Sequence, residues 1–120
     1  MSSSLDIVWS PHPEDAALTP LMAFTRWVRQ HRGVDARDYA ELHGWSVSDL
    51  DGFWSAVAEF CEMRFHHLPD AVLGSRSMPG AQWFPGSTLN YAEHALTPAP
   101  GRADDDLAVV FAREDGIARH

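Results

Sequence analysis

Trp83-Phe84-Pro85-Gly86-Ser87-Thr88-Leu89-Asn90-Tyr91-Ala92-Glu93-His94 joins an aromatic turn to the start of a short helix. Pro85 fixes its own φ and restricts the residue before it, which predicts an extended Phe84, while Gly86 permits the reversal that follows. Two rings are thereby presented beside a sharp bend. Ser87 or Thr88 is placed to cap a helix whose Leu89, Ala92 and Leu96 recur at three- and four-residue spacings. The stretch performs no chemistry by itself.

Upstream of this turn the chain reads as helical. Thr19 before Pro20 supplies a capping hydroxyl and a residue whose missing N–H costs nothing in a first turn. Leu21, Phe24, Trp27, Val28 and His31 then trace one face until Gly33. A second, shorter helix is predicted from Asp35 through Tyr39 and Leu42 to Gly44, with Asp38 near its positive end. The third and strongest, capped by Ser46 or Ser48, carries the stripe Leu50, Phe53, Trp54, Val57, Phe60, Cys61 and Phe65. Residues 1–18, with Pro11 and Pro13 opposing a helix, read as an extended strap whose Ile7, Val8 and Trp9 can dock on a neighbouring surface.

Between His66 and Gly86 the pattern dissolves into a loop punctuated by Pro69, Gly74, Pro79 and Gly80, with Ala71-Val72-Leu73 as its apolar anchor. Beyond the helix at Leu89 to Leu96, Thr97-Pro98-Ala99-Pro100-Gly101-Arg102 reads as a linker leading to Asp104–Asp106. Leu107-Ala108-Val109-Val110-Phe111 has strand length and composition, and Asp115-Gly116 favours a two-residue hairpin turn. Only four residues follow Gly116, so no second arm is expected here and the sheet is expected to continue in a larger protein.

The 120 residues are of single-domain size and carry a formal net charge of −8. Nucleic-acid binders neutralise phosphates with clustered cations, and the nine basic residues here form no cluster, so no nucleic-acid partner is expected. All nine are Arg; without any Lys, no lysine nucleophile or phosphate clamp resides in this chain. One cysteine, Cys61, rules out an internal disulfide and points to a reducing compartment. The N-terminus lacks a basic region followed by an apolar run, and no window has the length of a membrane span, so no membrane partner and a cytoplasmic location are expected.

His66 and His67 are adjacent, and neighbouring side chains diverge, which favours a helix end over a metal pair. Glu59 and Glu62 beside Arg64 describe a solvated helix face more readily than an acid–base pair. Asp104, Asp105 and Asp106 lack the Gly-shaped loop of a cation site. Cys61, on the apolar stripe, reads as a buried small hydrophobe. Ser46, Ser48 and Ser87 read as caps, and no glycine-rich phosphate cradle is present. Trp45, Phe53, Trp54, Trp83 and Phe84 could line a ligand pocket, but their helical spacing favours core packing. No residue is assigned a catalytic, cofactor-binding or metal-binding role.

The Trp83-Phe84 pair, Gly86 and Leu89-Asn90-Tyr91-Ala92-Glu93 together resemble the N-terminal region of acetoacetyl-CoA synthetases, members of the acetyl-CoA synthetase-like, adenylate-forming acyl-CoA ligases. Trp9, Pro11, Tyr39 through Leu42, Trp45-Ser46-Val47, Phe53-Trp54 and the ending Phe111-Ala112-Arg113-Glu114-Asp115-Gly116 extend the resemblance over almost the whole chain. It implies an α+β fragment: a mainly helical cap of three to four helices leading into the first strand of the large α/β domain. The division expected is a strap at 1–18, a helical region at 19–96, and a linker with the start of a hairpin at 97–120. The resemblance further implies a ligase of acetoacetate and coenzyme A. ATP, Mg²⁺ and CoA would be handled by catalytic domains that follow in the same polypeptide, and none would be bound by this segment. The alternatives are an independent helical protein-interaction module and a truncated remnant without function.

Overall fold

The structure is a computed structural model that describes residues 8–98, 101–112, 114 and 118–119. They divide into two units, one built from residues up to 63 together with 71–85, the other from 64–70 together with the residues from 86 onward.

The first unit holds four helices and a small hairpin. Helix α1 (Pro13–Ala17) begins with a proline in its first turn, followed by Glu14 and Asp15 at its positive end. Residues 13–17 are therefore helical, where the two prolines suggested an extended strap; Val8 and Trp9 before them are exposed. Ile7 lies outside the described residues. Helix α2 (Pro20–Arg32) starts as its sequence predicts: Met22 N–H donates to Thr19 Oγ1 at 3.3 Å, and Gly33 ends the helix at φ 66°. Of the predicted face, Phe24 and Val28 are buried, Trp27 packs at the edge, and Leu21 and His31 stay exposed.

Helix α3 (Tyr39–Ser48) starts four residues later than predicted and runs through Gly44 rather than ending there. Asp38 caps it, accepting from Glu41 N–H at 2.9 Å, while the Glu41 carboxylate accepts from Arg37 N–H at 2.7 Å. This is a capping box shifted by one residue. Ser46 and Ser48 are not caps: both lie inside α3 and donate to carbonyls of the preceding turn. Helix α4 (Leu50–Phe60) is capped by Asp49, whose carboxylate accepts from Gly52 N–H at 3.0 Å and from Trp45 Nε1–H at 3.3 Å. Asp49 N–H in turn donates to Trp45 O at 2.9 Å. One aspartate thus ends α3, starts α4 and holds the indole between them.

The core is made where α2 and α4 meet, with α3 packed against α4. Phe24, Val28, Ala36, Leu42 and Ala56 are buried; Trp27, Trp45, Phe53, Val57 and Phe60 pack around them. The Phe24 ring lies 5.1 Å from Phe60 and meets Phe53 edge-on at 5.9 Å, 87°. Val28 is 0% exposed, and its burial contributes about 1.5–3 kcal/mol. Cys61 is exposed in the turn after α4, contrary to its predicted place on a buried stripe, because the helix stops at Phe60. Glu62 then adopts φ 51°, and Met63 N–H reaches back to Ala58 O while Glu62 N–H reaches Glu59 O, closing a Schellman-type end.

Part of the predicted loop between His66 and Gly86 is a hairpin. Strands β1 (Leu73–Ser75) and β2 (Gln82–Trp83) are antiparallel, pairing Leu73 with Trp83 and Ser75 with Gln82 across an irregularity. Arg76 Nη2, just after β1, donates to Asp51 in the first turn of α4 at 3.2 Å.

In the second unit, His67 and Thr88 form an isolated antiparallel bridge. Helix α5 (Tyr91–Leu96) is capped by Asn90, whose Oδ1 accepts from Glu93 N–H at 3.1 Å; Ser87 and Thr88 are not its caps. Residues 107–110 are exposed and outside any strand, whereas β3 (Phe111–Ala112) pairs antiparallel with β4 (Ala118–Arg119). A second arm, expected to be absent, is therefore present as two residues. The predicted Asp115-Gly116 turn lies outside the described residues.

Candidate functional site

In the first unit the most distinctive surface grows out of the aromatic core. Phe53 leads from the buried Phe24 to Trp54, with ring centroids 5.4 Å apart at 86°, and Trp54 meets Trp83 of β2 at 5.5 Å and 62°. Trp54 and Trp83 remain 39% and 41% exposed. Together with Phe84 they line an open cleft of about 220 Å³. Sequence reasoning assigned these rings to the core. Phe53 and Trp45 do pack there, but Trp54 and Trp83 reach the surface because β2 turns back over α4 instead of running on as a loop.

The cleft's third wall departs from expectation. Phe84 has φ 46°, in the left-handed region, although the following Pro85 favours an extended residue at that position. Its N–H donates to Val72 O at 2.8 Å, a bond that extends the hairpin by one rung and fixes this backbone turn. A bulky residue in that region costs about 1–2 kcal/mol. Gly86, as predicted, takes a positive φ of 77°, and an added Cβ there would lie 2.5 Å from Asp70 Oδ2.

The second unit places titratable groups beside one another without enclosing them. His66 Nε2 lies 2.7 Å from Glu93 Oε2, both side chains about half exposed. His66 is therefore not at a helix end; it sits in a bend just before the His67–Thr88 bridge, with Glu93 of α5 as its partner. His67 Nδ1 lies 2.9 Å from Leu68 O. Asp106 accepts from Arg102 Nε and from Ala103 N–H, each at 3.2 Å, closing a turn in the acidic run. Elsewhere, Glu59 is exposed on its helix face, as expected, and pairs there with Arg32 of α2, which also lies over the Trp27 ring. Glu62 and Arg64 are exposed.

One exposed pair has a defined electrostatic bias. Arg37 Nη2 donates to Asp35 Oδ2 at 2.8 Å; that hydrogen bond, the Arg37 charge and the more distant Arg29 hold the Asp35 carboxyl below its ordinary range. The same bond and charge raise Arg37. Among the described residues, no group of three His, Cys, Asp or Glu could hold a metal ion, and no helix is long and apolar enough to cross a membrane.

With that geometry in place, comparison with known proteins gives a consistent result. Residues 39–95 match the family model described as the acetyl-coenzyme A synthetase N-terminus. The acetoacetyl-coenzyme A synthetase of Rhizobium meliloti is 32% identical over 111 residues, covering 92% of this chain. A malonamoyl-CoA synthetase of Penicillium aethiopicum is also 32% identical, over 82% of the chain. The acetoacetyl-CoA synthetase structure from Streptomyces lividans superposes on 73% of the chain with a TM-score of 0.69 and 52% identity. The chain spans 14–16% of the length of these relatives.

The helices, the hairpin and the Leu89-to-Glu93 stretch that follows it therefore define an N-terminal region of the acetyl-CoA synthetase class. Within that class, the chain carries an N-terminal region of acetoacetyl-CoA synthetase type.

Proposed function

We propose that this chain is the N-terminal structural segment of an acetoacetyl-CoA synthetase-like ligase and is not catalytic alone. In the whole enzyme, an acetoacetate carboxylate oxygen would attack the α-phosphorus of ATP and release pyrophosphate. The CoA thiol would then attack the acyl-adenylate and release AMP. ATP, Mg²⁺ and CoA would be held by domains beyond residue 120, in the same polypeptide and in the cytoplasm. The observation that carries this reading is the similarity of 92% of the chain to a protein named acetoacetyl-coenzyme A synthetase. The core is consistent with it, since among the described residues the buried side chains are apolar apart from Thr25, whose hydroxyl is satisfied by Leu21 O.

The names of the relatives narrow the acid. Acetoacetyl and malonamoyl groups both carry a carbonyl at the β-carbon, which supports a short β-carbonyl acid as the substrate class to test first. The test is pyrophosphate exchange and acyl-CoA formation by the full-length gene product with acetoacetate, malonamate and acetate. A preference for a β-carbonyl acid over acetate of about tenfold or more is expected, the scale on which one pocket contact discriminates. Equal use of acetate, or acyl-CoA formation by the 120-residue chain alone, would contradict the reading.

A further inference from the structure

We propose that the cleft formed by Trp54, Trp83 and Phe84 is the socket through which this segment holds the catalytic body of the synthetase, by taking up an apolar side chain from it. The inference rests on the ligase reading above. Three observations point to this occupant. The cleft, at about 220 Å³, is below the roughly 300–1,000 Å³ of small-molecule sites but has room for a protruding apolar side chain. Its walls are rings, the side chains most enriched at the energetic centres of protein interfaces. Finally, the relatives are about five to six times as long as this chain, so a large body of the same polypeptide is available to cover a wall that leaves two indoles about 40% exposed.

The backbone fits such a role. Phe84 is held at φ 46° by its bond to Val72 O, and Trp54 is anchored by its edge contact with Phe53. The socket is therefore rigid before anything enters it, which lowers the entropic cost of docking. Its occupant is an aliphatic or aromatic side chain, since among the described residues the lining offers indole and phenyl faces and no charge.

The test is hydroxyl-radical footprinting of the unaltered full-length gene product, reading oxidation of Trp54 and Trp83 by mass spectrometry in native and denatured protein. Full desolvation at an interface centre predicts native rates about tenfold or more below the denatured rates, independent of protein concentration. Native rates within about threefold of the denatured ones, as partial exposure would give, overturn the proposal. So does protection that vanishes on dilution, which would assign the face to a second copy, or a native product with no chain beyond residue 120. Acetoacetate-dependent pyrophosphate exchange on the same preparation separates the two readings. An active enzyme with reactive indoles loses the socket and keeps the ligase, whereas protected indoles without exchange keep the socket and lose the substrate.

Discussion

Glu62 holds the left-handed position of the α4 end, a place where glycine is the usual residue. Glu62→Gly should stabilise the protein by about 0.5–1 kcal/mol, since relief of the Cβ penalty outweighs the added freedom of the unfolded chain. Gly86 is the converse case: Gly86→Ala combines a positive φ with a Cβ 2.5 Å from the Asp70 carboxylate and should destabilise by about 1–2 kcal/mol in denaturant unfolding. Asp35 sets a small pH dependence. Its folded-state pKa is lowered, so its contribution is present above the ordinary carboxylate range and fades as pH falls through the folded value. Because the pair is exposed, Asp35→Asn should lower the melting temperature slightly at neutral pH and leave it unchanged in strong acid. A variant equally weakened at both extremes would argue against the Arg37 bond as the cause.

At the scale of elements, α2 was legible because its signals are local: Thr19-Pro20 at one end, Gly33 at the other and an apolar face between. The α3–α4 junction was not, because Asp49 acts at once as the end of one helix and the cap of the next, and nearby serines offer equally plausible hydroxyls. Asp49→Ala should cost about 1–2 kcal/mol, the loss of a helix cap, together with a blue or red shift in the fluorescence of the released Trp45. The β1–β2 hairpin was not legible because strands of three and two residues leave no periodic trace and pair across an irregular register. The same hairpin also explains the two departures at the Trp83–Gly86 turn. Its last rung, Phe84 N–H to Val72 O, overrides the local preference that Pro85 imposes, and it brings Trp83 over α4 to make the cleft. The candidate site was thus readable as a set of rings, but its exposure was a tertiary fact.

At the scale of the whole molecule, the two units carry different apolar surfaces. The first presents the Trp54–Trp83 cleft; the second presents Leu107, Val109, Val110 and Phe111, all more than half exposed. Surfaces of this kind are expected to be covered in a larger protein, and the relatives, of which this chain spans 14–16%, have the length to do so. The central claim, that these residues are one part of an acetoacetyl-CoA synthetase-like ligase, is tested most directly by the intact mass of the native gene product. A chain several times heavier than 13.4 kDa that contains this sequence is predicted. A native product of 13.4 kDa would contradict it.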